Sequence, residues 1–555
     1  MANYSSISSS CRLLSNLFFL LFIIFLFLFS SSQALLQKST KPIFRRVILT
    51  DQNKSCNFIN LESDKAKCEF LLSSDQCSPK GYINYLHLYY CFFSHQYHPI
   101  GLAVLLLWLI FLFYLLGSTA ATYFCSSLEG LSRLLKLSPA IAGATLLSLG
   151  NGAPDVFSSI VSFEEGGSGG AACDFGLNSI LGGALFVTTV VVGVVCVLVA
   201  PRKVAVEKID FVRDACFLLL VLLSLTVILV AGKINVWVAL AFPLLYLLYV
   251  LSVCITHLFG GIGNFKEKQT IFDADAEAAS EELETPLLTT IKQNQENSTG
   301  RRLKLISVKY LRLLELALDL PRRITIPDIS EDRWSKPFAV TSAAMSPVLL
   351  AVLSSSNQLL TGTFVGLFTG IAAFFTTEIQ NPPTKFRLPW LTGGFLMSVT
   401  WTYVTAKELV SLLVSIGTVI GISPASLGLT VLAWGDSLGD LMAAAAMAKG
   451  GGDGGVQVAV SGCYAGPTFN VLVGLGVPIG MSAWMTWPAP APALVEMDSS
   501  VFETVGFLAG GVMWALMILP RRGMRPDRVL GCGLLAIYLC FLTVRLGASF
   551  GHLPL

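Results

Sequence analysis

The chain has 555 residues, 54% of them hydrophobic and only 13% charged, with a formal net charge of +2. Soluble domains carry about 25% charged residues, which excludes a water-facing globular surface of this size, and a balance so near neutral gives no electrostatic footprint for nucleic acid. The apolar residues fall in blocks of about 20, enough to cross ~30 Å of hydrocarbon as helices. The expected fold class is an all-α polytopic membrane protein.

In chain order, residues 1–34 read as a secretory signal. Arg12 gives a positive n-region, Leu17 to Phe29 is an apolar run, and Ser32-Gln33-Ala34 offers small residues for cleavage. An uncleaved signal anchor is the alternative. Residues 35–98 are polar and hold Cys56, Cys68, Cys77 and Cys91, together with the glycosylation sequon Asn53-Lys54-Ser55. After a signal, four cysteines predict two disulfides in any of three pairings, so this segment is expected to be a lumenal or extracellular cap.

Twelve hydrophobic segments follow, near 100–122, 138–161, 174–200, 214–231, 236–256, 338–353, 360–377, 389–412, 424–447, 456–480, 502–519 and 529–547. The domains expected from them are a first transmembrane repeat over 99–256, a cytosolic loop over 257–337, two additional spans over 338–377 and a second repeat over 378–555. With the cap outside, the inside loops carry Arg133 and Lys136, Arg202, Lys203 and Lys208, Lys385 and Arg387, Lys449, and Arg521, Arg522, Arg525 and Arg528. The short outside loops carry almost none, as the positive-inside rule requires. The long loop begins acidic and turns basic from Arg301, where an amphipathic helix on the anionic leaflet competes with a solvated linker. Its sequon at Asn297 faces the cytosol and is silent.

The chemistry lies in a repeat. Leu137-Ser-Pro-Ala-Ile-Ala-Gly-Ala-Thr-Leu-Leu-Ser-Leu-Gly-Asn-Gly-Ala-Pro-Asp155 aligns with Ile422-Ser-Pro-Ala-Ser-Leu-Gly-Leu-Thr-Val-Leu-Ala-Trp-Gly-Asp-Ser-Leu-Gly-Asp440 at a constant offset of 285. Serine, proline, glycine, threonine and aspartate coincide between the two. In the next span Gly182-Gly-Ala-Leu-Phe186 matches Ala465-Gly-Pro-Thr-Phe469 at an offset of 283. The loop count makes the Asp155 span run outward and the Asp440 span inward, so the halves are inverted repeats, whose sites form near the midplane. Gly, Pro and Asn beside each aspartate are expected to interrupt the helix, which is tolerable only where backbone lines a cavity or meets protein. A carboxylate at that depth costs about 2.5 kcal/mol or more on insertion scales, and neither span offers a nearby Lys or Arg. The simplest compensation is a transported cation.

Gly150-Asn-Gly-Ala-Pro-Asp155 and Gly435-Asp-Ser-Leu-Gly-Asp440 resemble the two signature motifs of the cation/calcium exchanger branch of the sodium/calcium exchanger superfamily, its plant members above all. The resemblance implies two inverted five-helix repeats plus two extra spans. It makes Asp155 and Asp440 the central cation ligands, joined one turn earlier by Asn151 and the Gly152 carbonyl and by Asp436 and Ser437. Asn470 fits the amide that the family places after the aromatic of the neighbouring span, whereas Val187 departs from that pattern. Hard cations take about six to eight oxygen ligands in the case of calcium, and this set is of that kind. Asp436 and Asp440, four residues apart, share a helix face, so protons and metal compete for the same oxygens.

The expected function is secondary active antiport of K+, Na+ and/or Ca2+ against H+ or Na+, in a membrane of the secretory pathway: plasma membrane, vacuolar membrane or endoplasmic reticulum. A cation channel or channel subunit is the alternative, separable by a requirement for a trans cation. A receptor with a ligand-binding cap is a further reading. No catalytic motif, cofactor site or nucleic-acid pattern is visible, and the expected partners are membrane lipid and the carried cations.

Overall fold

The structure is a computed structural model. It describes residues 64–73, 81–93, 97–134, 148–166, 171–202, 204–231, 236–260, 318–330, 333–354, 358–383, 387–450, 452–486 and 499–549. The signal segment, Asn53, Cys56, Cys77, Asn297, the acidic run and most of the basic stretch from Arg301 lie outside the described residues.

Two short cap elements come first, α1 (Asp64–Ser73) and α2 (Tyr85–His87), the latter continuing as a π-helical turn over Leu88–Phe92. A disulfide joins Cys68 of α1 to Cys91 beyond α2. Next are α3 (His98–Thr119), which passes through π-helical Ala120–Cys125 into α4 (Ser126–Leu134), and α5 (Ser148–Gly166). Helix α6 (Ala171–Phe186) runs through π-helical Val187–Val191 into α7 (Val192–Val199), followed by α8 (Lys208–Ala231) and α9 (Val236–Gly260). After the long loop come α10 (Lys336–Ser354), α11 (Leu359–Thr376) and the long α12 (Arg387–Ile420). The chain ends with α13 (Pro424–Leu427), π-helical Gly428–Leu432, α14 (Ala433–Gly450), α15 (Gly452–Gly474), α16 (Gly476–Thr486), α17 (Ser499–Arg521) and α18 (Arg528–Ser549). No strand occurs among the described residues.

Ten helices are long and apolar enough to cross a membrane among the described residues. Helices α5 and α14, which carry the two motifs, fall outside that number because glycine, serine and aspartate dilute their hydropathy. Helix α5 is nonetheless the centre of the bundle, with α14 beside it. Residues 152–162 of α5 are buried without interruption, enclosed by α6, α12 and α15. The packing repeats across the two halves: α6 lies on α5 as α15 lies on α14, and α12 crosses α5 as α3 crosses α14. Helix α8 packs on α15, and α17 in the same way on α6.

Chain direction follows from what touches the ends. Helix α3 starts beside the cap, while α12 meets the cap in its C-terminal half, through Glu408. Helix α5 therefore runs toward the cap side and α14 away from it, so the repeats are inverted. The turns at the opposite end are tied together. Arg202 Nη1 donates to the Ala448 carbonyl at 2.9 Å, Val206 N to the Met524 carbonyl at 2.8 Å, and Glu207 N to Gln457 Oε1 at 2.7 Å.

Helices α10 and α11 form a hairpin closed on itself, touching α12 only lightly. Gly362, Gly366 and Gly370 make its seam. A methyl group built at Gly366 would fall on the Ala344 carbonyl, and one at Gly362 on the Ala351 side chain, the small-residue contact by which membrane helices approach closely.

Two segments outside the repeats grip α3 and α12 at two levels, about two to three helical turns apart. On the cap side, Tyr85 Oη donates to Glu408 Oε2 at 2.6 Å and accepts from Trp108 Nε1 of α3 at 3.0 Å. Tyr82 N also donates to Glu408, and Gly81 sits so close to Ser411 that no side chain fits there. Burial, and then the Glu408 carboxylate, push the Tyr85 hydroxyl well above its ordinary range, so it remains a proton donor. Farther from the cap the tail of the long loop docks. Buried Arg322 donates to Ser118 Oγ at 2.5 Å and Thr119 Oγ1 at 3.1 Å, Tyr123 Oη donates to Asp319 at 2.7 Å, and Trp401 Nε1 of α12 donates to Thr325 Oγ1 at 2.8 Å.

Candidate functional site

The helical break expected at the motifs is not there. Helix α5 is continuous from Ser148 to Gly166 with Pro154 inside it. Proline lacks an N–H, so Pro154 withholds the bond that the Gly150 carbonyl would receive while the helix itself runs on. In the second half the departure comes before the motif, in the π-helical turn Gly428–Leu432. Such single π turns recur at functional sites.

Asp155 is 2% exposed at the middle of α5. One of its oxygens, Oδ2, accepts from Asn470 Nδ2 of α15; the other, Oδ1, has no hydrogen-bond partner. Gly152 makes this possible, because a Cβ there would fall on Asn470 Oδ1. Across the gap, a Cβ on Gly183 of α6 would stand 3.4 Å from Ser437 Oγ and 3.5 Å from Asp155 Oδ1. Glycine at this position opens the space that the two side chains face. Asp436 and Ser437, from the first turn of α14, are buried, and both Asp436 oxygens and Ser437 Oγ are without partners, as is Asn470 Oδ1.

The structure therefore brings together Asp155, Asn470, Asp436 and Ser437. Asn151 precedes Asp155 by one turn in α5, and its side chain lies outside the described part of the structure. Asp440 is close enough for its charge to act on Asp155, but it is only half-buried and its charge also reaches Cys463 of α15. The repeat makes Asp155 and Asp440 equivalents in sequence, yet their surroundings differ. Helix α5 is enclosed, whereas Trp434, Leu438 and Met442 leave a face of α14 exposed.

Sequence reasoning missed Ser158 and Ser179, both fully buried with partnerless hydroxyls. Serine at i+3 from Asp155 and at i−4 from Gly183 was the available signal, since those spacings put each on the face of its neighbour.

Elsewhere in the same protein a buried carboxylate is compensated. Asp214 of α8 is 1% exposed, with Arg213 at 2.8 Å and Tyr249 Oη at 3.1 Å. None of the ion pairs among the described residues involves Asp155, Asp436 or Asp440. A buried carboxylate without a cation costs several kcal/mol. Carboxylate, amide and hydroxyl oxygens converging in a space kept open by glycine form the donor set of a hard cation.

Comparison with known proteins identifies the family. Residues 105–255 and 390–547 match the family model described as sodium/calcium exchanger protein. The chain is 47% identical to Cation/calcium exchanger 1 of Arabidopsis thaliana, over 98% of both chains. It is 42% identical to Cation/calcium exchanger 2 of the same plant, over 95% of this chain and 97% of the relative. With the mitochondrial sodium/calcium exchanger protein of Rattus norvegicus it shares 30% identity over 88% of this chain and 89% of that one. Among solved structures, a crystal structure of the H+/Ca2+ exchanger CAX aligns at a TM-score of 0.45 and 13% identity, covering 81% of this chain and 85% of that one. With the family match spanning both halves and the plant likeness running nearly end to end, this chain belongs to the sodium/calcium exchanger family.

Proposed function

We propose that the protein is a secondary active antiporter that carries K+, Na+ and/or Ca2+ against H+ or Na+ through the midplane site between α5, α6, α14 and α15. The observation that carries this reading is the meeting of aspartates from both inverted halves, buried, with partnerless oxygens and no basic residue paired to them. A transported cation supplies the missing charge, and protons compete with it for the same oxygens. The names of the relatives, cation/calcium and sodium/calcium exchangers, support the class of cargo. The membrane is one of the secretory pathway, with the cap lumenal or extracellular and the basic turns cytosolic, as the distribution of Lys and Arg supports. The test is uptake into proteoliposomes with an imposed pH or sodium gradient, scanning K+, Na+ and Ca2+. Uptake is expected only when an exchangeable cation or proton is present on the trans side. Flux that proceeds without one makes the protein a channel.

A further inference from the structure

We propose that Ser158 is a ligand of the carried cation and sets its selectivity, acting with Asp436 across the interface of α5 and α14; this rests on the functional reading above. A hydroxyl inside an apolar helix ordinarily bonds to the carbonyl one turn back. The buried hydroxyls of this protein do so widely: Thr119 to Leu115, Ser162 to Ser158, Ser398 to Gly394, Ser415 to Ser411 and Thr468 to Tyr464. Ser158 does not. Its hydroxyl is fully buried and makes no bond to its own backbone; it stands instead within reach of the Asp436 carboxylate across the interface, the one group toward which its proton can turn.

Ser437 gives up its back-bond in the same way, and its oxygen faces Gly183 together with Asp155. Two serines that forgo the ordinary bond thus flank the carboxylates, one from each half. The arrangement is one-sided. At the repeat offset of 285, Ala443 occupies the place of Ser158 and Asn151 that of Asp436. Gly152 occupies the place of Ser437, so neither hydroxyl has a counterpart in the other half and the oxygen shell is not two-fold symmetric. Ser158 contributes a neutral hard oxygen, lone pairs turned to the cation when the site is loaded and its proton to Asp436 when the site is empty.

The experiment titrates purified full-length protein in detergent with Ca2+ and with Cd2+, reading the rise in melting temperature that ligand binding produces. Ser158→Cys preserves volume and exchanges a hard oxygen for a soft sulfur. The half-saturating Ca2+ concentration is expected to rise about tenfold, the scale of losing one supporting group at a metal site, while that for Cd2+ falls. Ser158→Ala is expected to weaken Ca2+ without strengthening Cd2+. Ser162→Cys, one turn on and back-bonded, is expected to leave both titrations as in the wild type. Unchanged titrations in both Ser158 variants, or equal shifts in Ser162→Cys, overturn the proposal. Asp155→Asn separates the two levels of inference. If its Ca2+ response is intact, the functional reading itself has misplaced the site; if it is lost while both Ser158 variants match the wild type, only the role of Ser158 falls.

Discussion

Asp155 shows what a single residue contributes here. Its carboxylate has one amide partner and a second oxygen facing open space, so Asp155→Asn removes charge without removing volume. Exchange should fall to background in vesicles while expression and melting temperature hold, since the unliganded protein loses a buried charge rather than a contact. Gly152→Ala should be equally inactive for a steric reason, because the new methyl occupies the position of Asn470 Oδ1 and breaks the Asn470–Asp155 bond; transport assays on the purified variant check it. Asp155 was legible in the sequence because an aspartate recurring at a fixed offset in apolar runs has few other uses, whereas Asp436, Ser437 and Asn470 entered through the resemblance of the motifs to those of the exchangers. Ser158 and Ser179 were not legible, because serine in a membrane helix usually satisfies itself on its own backbone and the sequence does not show which rotamer it takes. Nor was the inequivalence of Asp155 and Asp440, since a repeat records ancestry position by position while burial depends on which neighbours close over each half.

Among the elements, the α10–α11 hairpin and the cap make opposite predictions. The hairpin is sealed by glycine against Ala344 and Ala351 and barely touches the bundle. Gly366→Leu should therefore pry the hairpin apart, seen as new protease cleavage near residue 355, yet leave exchange close to the wild-type rate. The cap is bound into the core. Opening Cys68–Cys91 with Cys68→Ser frees α1 from the turn that follows α2, and loss of a native disulfide in a small segment costs about 2–5 kcal/mol. A lower melting temperature and faster proteolysis of the cap should follow, and Glu408→Ala, which removes the acceptor of Tyr82 and Tyr85, should reproduce the proteolysis with the disulfide intact. The sequence located both elements from length, hydropathy and cysteine spacing. It did not reveal the docking of the cap, because Tyr85 and Glu408 are 323 residues apart and nothing local to either marks the other as a partner.

At the scale of the whole molecule, the inverted halves place the cap on one side and the basic turns on the other. A cap on the lumenal side predicts that Asn53→Gln abolishes an endoglycosidase-sensitive mass shift and that Asn297→Gln leaves it unchanged; a shift depending on Asn297 reverses the orientation of the whole chain. The architecture was legible because hydropathy, loop charge and the repeat agree with one another, which is the condition for a sequence to specify one fold. What the repeat did not contain are the two single-copy clasps on α3 and α12, Tyr85 to Glu408 and Trp108 at one level, Arg322 and Thr325 to Ser118, Thr119 and Trp401 at the other. A pair of identical halves exposing one site alternately to two compartments would have no intrinsic preference between them. These clasps differ in kind, one a carboxylate held by a tyrosine hydroxyl and a backbone N–H and the other a guanidinium held by hydroxyls, so there is no symmetry to make them equally easy to release. A carrier built this way is expected to favour one facing over the other, with different rate constants for the two reorientation half-steps even when the ion gradients are matched.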